Sequence, residues 1–277
     1  MPASATSCAP TAAEIMPETV FDMAAAADPT SEDALLGGRL VLRQPVRGHR
    51  FGHDAVLLAA GTPGQAGEHA IELGAGVGAA GLALARRVEG LAVTLVELDP
   101  NLAALAHDNA ARNSLGDRVR AVCLDVAAEQ AEFFAAGLGP HSADHVLMNP
   151  PFNTPHNPPR DPARRLARAA SPDSLGRWLD AARRLLRPHG SLTLIWRADG
   201  LADVLVALTA GFGAIAIMPV YPKPGIAAVR ALVRATKDSH APLSLVPGLM
   251  LADADNKPTA QAQAILREGA ALVFAVP

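Results

Sequence analysis

The sequence predicts an α/β fold, a doubly wound and mainly parallel sheet, on three observations. From Ala70 onward, apolar strand-like runs alternate with helix-patterned segments, the pattern of a sheet covered on both faces. The first of these strands runs into Gly74, Gly76 and Gly78, and a helix pattern opens directly afterwards. The next two strands end in acids, Glu97 and Asp125, on the edge where such sheets form their ligand crevice.

In chain order, residues 1–34 are expected to form a disordered acidic tail. It holds Glu14, Glu18, Asp22, Asp28, Glu32 and Asp33 and no Lys or Arg, so it lacks the positive start of a secretory signal. Arg39–Arg43 alternates like a short strand. Further strands are expected at Ala70–Leu73, Val93–Glu97, Val119–Leu124, His145–Met148, Ser191–Trp196, Ala214–Met218 and Ala228–Arg234. Helices are expected at Ala79–Arg87, Pro100–Asn113, Leu175–Leu186 and Leu201–Thr209. Pro100 suits a first helical turn, and Arg86 with Arg87 suits a last one.

Leu201–Val220 is long enough to cross a membrane. Asp203 and the Gly211-Phe212-Gly213 turn divide it instead into a buried helix and a core strand. After Leu243 come another apolar run, a turn at Asp253-Ala254-Asp255-Asn256 and a helix-like Thr259–Arg267. The expected organisation is one domain over 35–277: an N-terminal extension at 35–68, a catalytic core at 69–235 and an appendage at 236–277.

Half of the 277 residues are hydrophobic and 18% are charged, enough for a sizeable core. Cys8 and Cys123 give no disulfide framework, which favours a reducing compartment and a cytoplasmic location. Cys123, within a strand pattern, reads as core, and Trp178 and Trp196 read as packing. His49, His53, His141, His145 and His156 are scattered without the Cys or acid that would complete a tetrahedral set, so no metal is expected. Asp54 reads as a helix cap.

Net charge is −3, but its distribution is uneven. Residues 39–53 carry +4 through Arg39, Arg43, Arg47 and Arg50, and residues 155–190 carry +5. The segments Arg39–Arg50 and Arg160–Arg187 are therefore candidates for phosphate contact with a nucleic acid.

Ala70–Gly81 reads AIELGAGVGAAG. Its glycines let the backbone turn sharply and approach a ligand, with helix amides behind them. Gly76-x-Gly78-x-x-Gly81 also fits a dinucleotide fingerprint, with Glu97 near the distance of its ribose acid. Glu72, directly before the glycines, suits an amino-acid ammonium better than a pyrophosphate. Glu97 suits ribose hydroxyls, and Asp125 suits an adenine amino group.

The fourth core strand ends in Asn149-Pro150-Pro151-Phe152. With this tetrapeptide, the chain from about Gly37 to Arg234 resembles the class I S-adenosylmethionine-dependent methyltransferases, specifically the amino-methyltransferases with an Asn-Pro-Pro-Tyr/Phe loop. The resemblance implies a seven-stranded Rossmann-like sheet and S-adenosylmethionine as cofactor. It implies Glu72, Gly74, Gly76, Gly78, Glu97, Asp125 and Asn149 as cofactor-binding residues, and Asn149, Pro150 and Phe152 as catalytic ones. An aromatic or amide NH2 has a delocalised lone pair. The Asn149 side-chain oxygen and the Pro150 carbonyl can each accept one of its hydrogens and turn that lone pair toward a methyl sulfonium, while Phe152 stacks on the base.

Gln44-Pro45 and Gly48-His49-Arg50-Phe51-Gly52-His53-Asp54-Ala55-Val56-Leu57-Leu58-Ala59 are in turn similar to the segment before the glycine loop in bacterial tRNA adenine-N6 methyltransferases. This narrower resemblance implies adenine N6 in tRNA as acceptor, with the base flipped out, and places that segment over the cofactor at the substrate mouth. Protein-glutamine N5 and rRNA guanine-N2 methylation share the same features. A nicotinamide-dependent oxidoreductase would leave Asn149–Phe152 without a purpose.

Overall fold

The computed structural model describes residues 29–48, 50–151 and 174–274. The described part opens with an antiparallel hairpin, β1 (Thr30–Leu35) and β2 (Leu40–Pro45), that stands apart from the main sheet. There follow α1 (His53–Gly61), β3 (His69–Leu73), α2 (Ala79–Arg87), β4 (Ala92–Glu97), α3 (Pro100–Arg112), β5 (Val119–Cys123), α4 (Gln130–Ala135) and β6 (Ala143–Met148). Then come α5 (Ser174–Leu185), β7 (Leu186–Arg197), α6 (Leu201–Leu208), β8 (Phe212–Tyr221) and β9 (Arg230–Lys237), and finally β10 (Ser244–Leu245), β11 (Leu249–Met250) and α7 (Ala260–Glu268).

The main sheet runs β10-β8-β9-β7-β6-β3-β4-β5, with β11 also on β8. Its seven long strands are the seven expected from the sequence. All their pairings are parallel except those of β9, which is antiparallel to both β7 and β8. From β3 the chain steps outward through β4 to β5, then returns to lay β6 on the other side of β3. Strand order therefore reverses between β3 and β6, where the carboxyl ends of two strands diverge and leave a crevice. Leu73 is in register with Met148, so Gly74 and Asn149 leave the sheet side by side.

Both faces are buried. Leu57, Leu58, Leu82, Leu84 and Leu95 fill one side under α1 and α2; Ile71, Leu73, Leu179, Leu185 and Leu208 fill the other under α5 and α6. Alternation along β3 sends Ala70 to the α1/α2 side and Ile71 and Leu73 to the other, which puts Glu72 on the α1/α2 side. Leu201–Val220 splits into α6 and β8, as its turn predicts, and no described helix is long and apolar enough to cross a membrane.

Helix α3 starts as Pro100 predicts: the Asp99 carboxylate accepts from the amides of Asn101 at 2.8 Å and Leu102 at 3.4 Å. One turn apart on its inner face, Asn109 and Asn113 replace a strand partner for β2. Asn109 accepts from Arg43 N at 2.8 Å and donates to Arg43 O at 2.9 Å. Asn113 does the same with Val41 N at 3.0 Å and Val41 O at 2.9 Å. Asn109 also donates to Val77 O at 3.1 Å, so one buried carboxamide ties the hairpin to the glycine loop.

Three expectations need correction. Residues 30–34, assigned to the tail, form β1 and pair with β2; residues 1–28 lie outside the described part. Cys123 is exposed, because β5 is the edge of the sheet and Cys123 its last residue. Its Sγ donates to Leu98 O at 3.5 Å, and partial burial with the Glu97 and Asp99 charges raises its pKa. Asp54 is not a cap: Gly52 holds that position at the start of α1.

Candidate active site

The turn out of β3 is made by glycines with positive φ: +67° at Gly74, +55° at Gly76 and +85° at Gly78. They are not equivalent. A Cβ on Gly74 would lie 2.3 Å from Trp178 Cη2, whereas one on Gly76 would meet nothing within 4 Å. Gly74 is packed, and Gly76 faces open space. The loop is pinned by Ala75 N donating to Val96 O at 2.9 Å. Within α2, a Cβ on Gly81 would lie 2.3 Å from Leu95 Cδ2 and 2.8 Å from Glu72 Oε2; only glycine lets the helix sit this close to the sheet.

Glu72, the last residue but one of β3, has its carboxyl buried and accepting from Gly81 N at 2.6 Å. Burial pushes its pKa from 4.5 to about 8; the Glu97 charge adds to the rise and the Gly81 amide opposes it. Glu97, half-buried at the end of β4, uses both oxygens on backbone amides, Oε2 on Gly76 N at 2.7 Å and Oε1 on Asp99 N at 3.0 Å. Asn149 follows β6. Its Oδ1 is buried and has no hydrogen-bond partner. Pro150 after it is buried and Pro151 exposed.

These groups meet at a cavity of about 350 Å³. It is lined by the turn after β3 with Glu72 before it, by Leu58, Ala79, Ala80 and Leu102, by the segment Arg50–Ala55 with Arg230, and by Asn149. Of the residues expected from the sequence, Glu72, Gly74, Gly76 and Asn149 share the cavity, and Glu97 is one hydrogen bond away through Gly76. Gly78, Pro150 and Asp125 do not line it. Gly78 caps α2, and Asp125, exposed beyond β5, accepts from Ala127 N at 2.8 Å. Phe152 lies outside the described residues.

Arg230 is the residue the sequence did not signal. It enters from β9 and pairs through Nε with Asp54 Oδ2 at 2.8 Å; a contact across 176 positions leaves no local pattern. Among the described residues, several arginines of the basic segments, and Arg112 of α3, are engaged within the chain. Arg43 pairs with Glu32 at 3.5 Å, Arg50 with Asp33 at 2.6 Å, and Arg112 with Glu32. Arg39 Nε donates to Leu36 O at 3.1 Å, Arg183 pairs with Asp180 at 3.5 Å, and Arg187 pairs with Asp144 and Glu68. Arg160, Arg164, Arg165 and Arg168 lie outside the described residues.

Comparison with known proteins bears on the fold and the family. The family model described as the methyltransferase small domain matches residues 52–219, from the start of α1 into β8. A Porphyromonas gingivalis protein named tRNA1(Val) (adenine(37)-N6)-methyltransferase is 33% identical over 159 residues, covering 56% of this chain and 61% of that protein. An Aeromonas hydrophila protein of the same name is 30% identical over 188 residues, covering 67% of this chain and 75% of that protein. Among solved structures, that of a predicted O-methyltransferase from Agrobacterium tumefaciens superposes with a TM-score of 0.68 at 29% identity, over 79% of this chain and 98% of that one. The family model covers more than half of the chain, and the chain belongs to the methyltransferase small domain family.

Proposed function

We propose that this chain is an S-adenosylmethionine-dependent methyltransferase acting on N6 of an adenine in tRNA, in the cytoplasm. The observation that carries the reading is the buried, unpartnered Oδ1 of Asn149 on the wall of the cavity. A buried acceptor without a donor costs ~1–3 kcal/mol, a cost a site can recover when a substrate N–H arrives. The carbonyl of Pro150, next in the chain on stiff backbone although outside the cavity lining, is the proposed second acceptor. Together they suit a group with two hydrogens. An oxygen nucleophile, as the name of the Agrobacterium structure would suggest, has one hydrogen and no use for the pair.

The residues present also fit the cofactor. Gly76 leaves room for close approach, and the Glu72 carboxyl waits for a cation inside an apolar wall. In this reading Glu72 faces the amino-acid ammonium, the Gly74–Gly78 backbone cradles the chain, and Glu97 accepts from the ribose while bracing the loop. Asp125, exposed past β5, is proposed for the adenine amino group. When bound, S-adenosylmethionine would supply an electrophilic methyl group for transfer from its sulfonium to the nitrogen, whose displaced proton would pass to solvent. The protein's part is to position and exclude water rather than to abstract a proton.

The names of the Porphyromonas and Aeromonas relatives support tRNA and adenine N6. Because Arg43 and Arg50 are paired within the chain, the phosphate contacts expected of them form no part of the proposal. The test is incubation with tritiated methyl donor and total bacterial tRNA, followed by nucleoside analysis. Label in N6-methyladenosine, lost on RNase treatment, is expected. Label that resists RNase and stays with protein overturns the reading in favour of glutamine methylation.

A further inference from the structure

We propose that Phe51 is the platform on which the acceptor ring stacks, and that Gln44 is the residue that positions it. The proposal rests on the acceptor reading above and names a further binding residue within that site.

Among the described residues, Phe51 is the one Phe, Tyr or Trp that lines the cavity shared with Asn149. It is half-buried: part of the side chain packs against the core that also holds Leu57 and Leu58, and part borders the cavity. A ring backed by core on one side needs little ordering before it stacks with the other.

Its backbone is held from both sides. The Phe51 amide donates to Gln44 Oε1 at 3.1 Å. Gln44 is 2% exposed, and its Nε2 donates to Asp33 Oδ2 at 2.8 Å. That carboxylate also accepts from Arg50 Nη2 at 2.6 Å and Ser31 Oγ at 3.0 Å. Past Phe51, Asp54 is fastened to Arg230. A buried carboxamide with both ends engaged has one orientation, so β1, through Asp33 and Gln44, sets where the aromatic wall stands. The ligand class this suits is a planar heteroaromatic ring bearing an exocyclic amino group, flipped out of a nucleic acid. A peptide glutamine offers no ring to stack.

Steady-state methylation of tRNA, alongside titration with S-adenosylhomocysteine, tests this. Phe51→Leu keeps the apolar bulk and is expected to lower kcat/KM for tRNA by about 5- to 150-fold, the equivalent of one stacked base, mainly through KM. Affinity for S-adenosylhomocysteine should stay within about twofold, and Phe51→Tyr should recover most of the loss. Gln44→Ala should move KM for tRNA in the same direction while S-adenosylhomocysteine still binds, which also reports that the fold persists. An active wild type with an unchanged Phe51→Leu variant overturns the role of Phe51 and leaves the acceptor reading standing. Equal weakening of S-adenosylhomocysteine assigns Phe51 to the methyl-donor half and overturns the proposal. A wild type that labels no RNA overturns the acceptor reading, and the stacking role with it.

Discussion

The Glu97 carboxylate accepts a hydrogen bond from the Gly76 amide at 2.7 Å, linking the end of β4 to the loop that leaves β3. The acid therefore shapes the glycine loop as well as offering lone pairs to a ligand. Charge-assisted hydrogen bonds contribute ~1.5–3 kcal/mol. Glu97→Ala is expected to weaken S-adenosylhomocysteine binding by about 10- to 100-fold, measured by calorimetry. Affinity within twofold of wild type would show that neither the brace nor the ligand contact matters.

Glu72 gives the site a pH dependence of known sign. Its folded-state pKa of about 8 lies above the ordinary 4.5, so the native protein retains a proton that the unfolded chain has lost. Stability of the ligand-free protein should fall as pH rises from about 4.5 through about 8. An ammonium ligand needs the charged form, so affinity for S-adenosylhomocysteine should rise across the same window, with proton release visible as a buffer-dependent binding enthalpy. Glu72→Gln should abolish both slopes; a variant that keeps them would assign the titration to another group.

Asn149→Ala separates chemistry from binding. The expected loss is at least about 100-fold in kcat, in the range for removing one aligned acceptor, with S-adenosylhomocysteine affinity within about threefold. Because Oδ1 has no partner in the fold, the variant should not melt at a lower temperature than wild type. Equal losses in turnover and cofactor affinity would remove Asn149 from the acceptor role.

Gly81 and Gly76 should respond oppositely to alanine. At Gly81 the new Cβ meets Leu95 and Glu72, and overpacking of this kind costs ~1–3 kcal/mol, so Gly81→Ala should lower Tm. At Gly76 the Cβ meets nothing; the cost is the left-handed backbone, ~1–2 kcal/mol, and the methyl projects where a ligand would pass. Gly76→Ala should therefore reduce S-adenosylhomocysteine affinity disproportionately to its effect on Tm. If thermal scans and titrations rank the two variants the other way, the loop has been read in the wrong orientation.

Much of the sheet was legible because buried parallel strands are continuous apolar runs and their turns are marked by glycine. Helix α2 was bounded at Ala79 and Arg87 by the glycines before it and the arginines that end it. Glu72, Glu97 and Asn149 were picked out because strand ends line the ligand crevice; Asp125, chosen on the same ground, does not line the cavity. What escaped depends on contacts distant in sequence. TSEDAL in β1 reads as a polar tail until Arg43, Arg50 and Arg112 stand opposite its acids. Asn109 and Asn113 look like ordinary helix residues until a strand needs their amides. Arg230 sits in the cavity only because the antiparallel β9 begins at that end of the sheet. Cys123 was misread because an apolar pattern does not say that its strand is the outermost.

The acidic β1 also bears on how a nucleic acid would be met. Glu32 and Asp33 offset part of the charge of Arg43, Arg50 and Arg112, so the Arg39–Arg50 segment presents less net positive charge to a nucleic acid than its four arginines alone would. Its share of any complex should then vary less steeply with ionic strength than four free arginines would give, and long-range attraction from this side is reduced in proportion. Selectivity must come at close range, from the shape of the pocket.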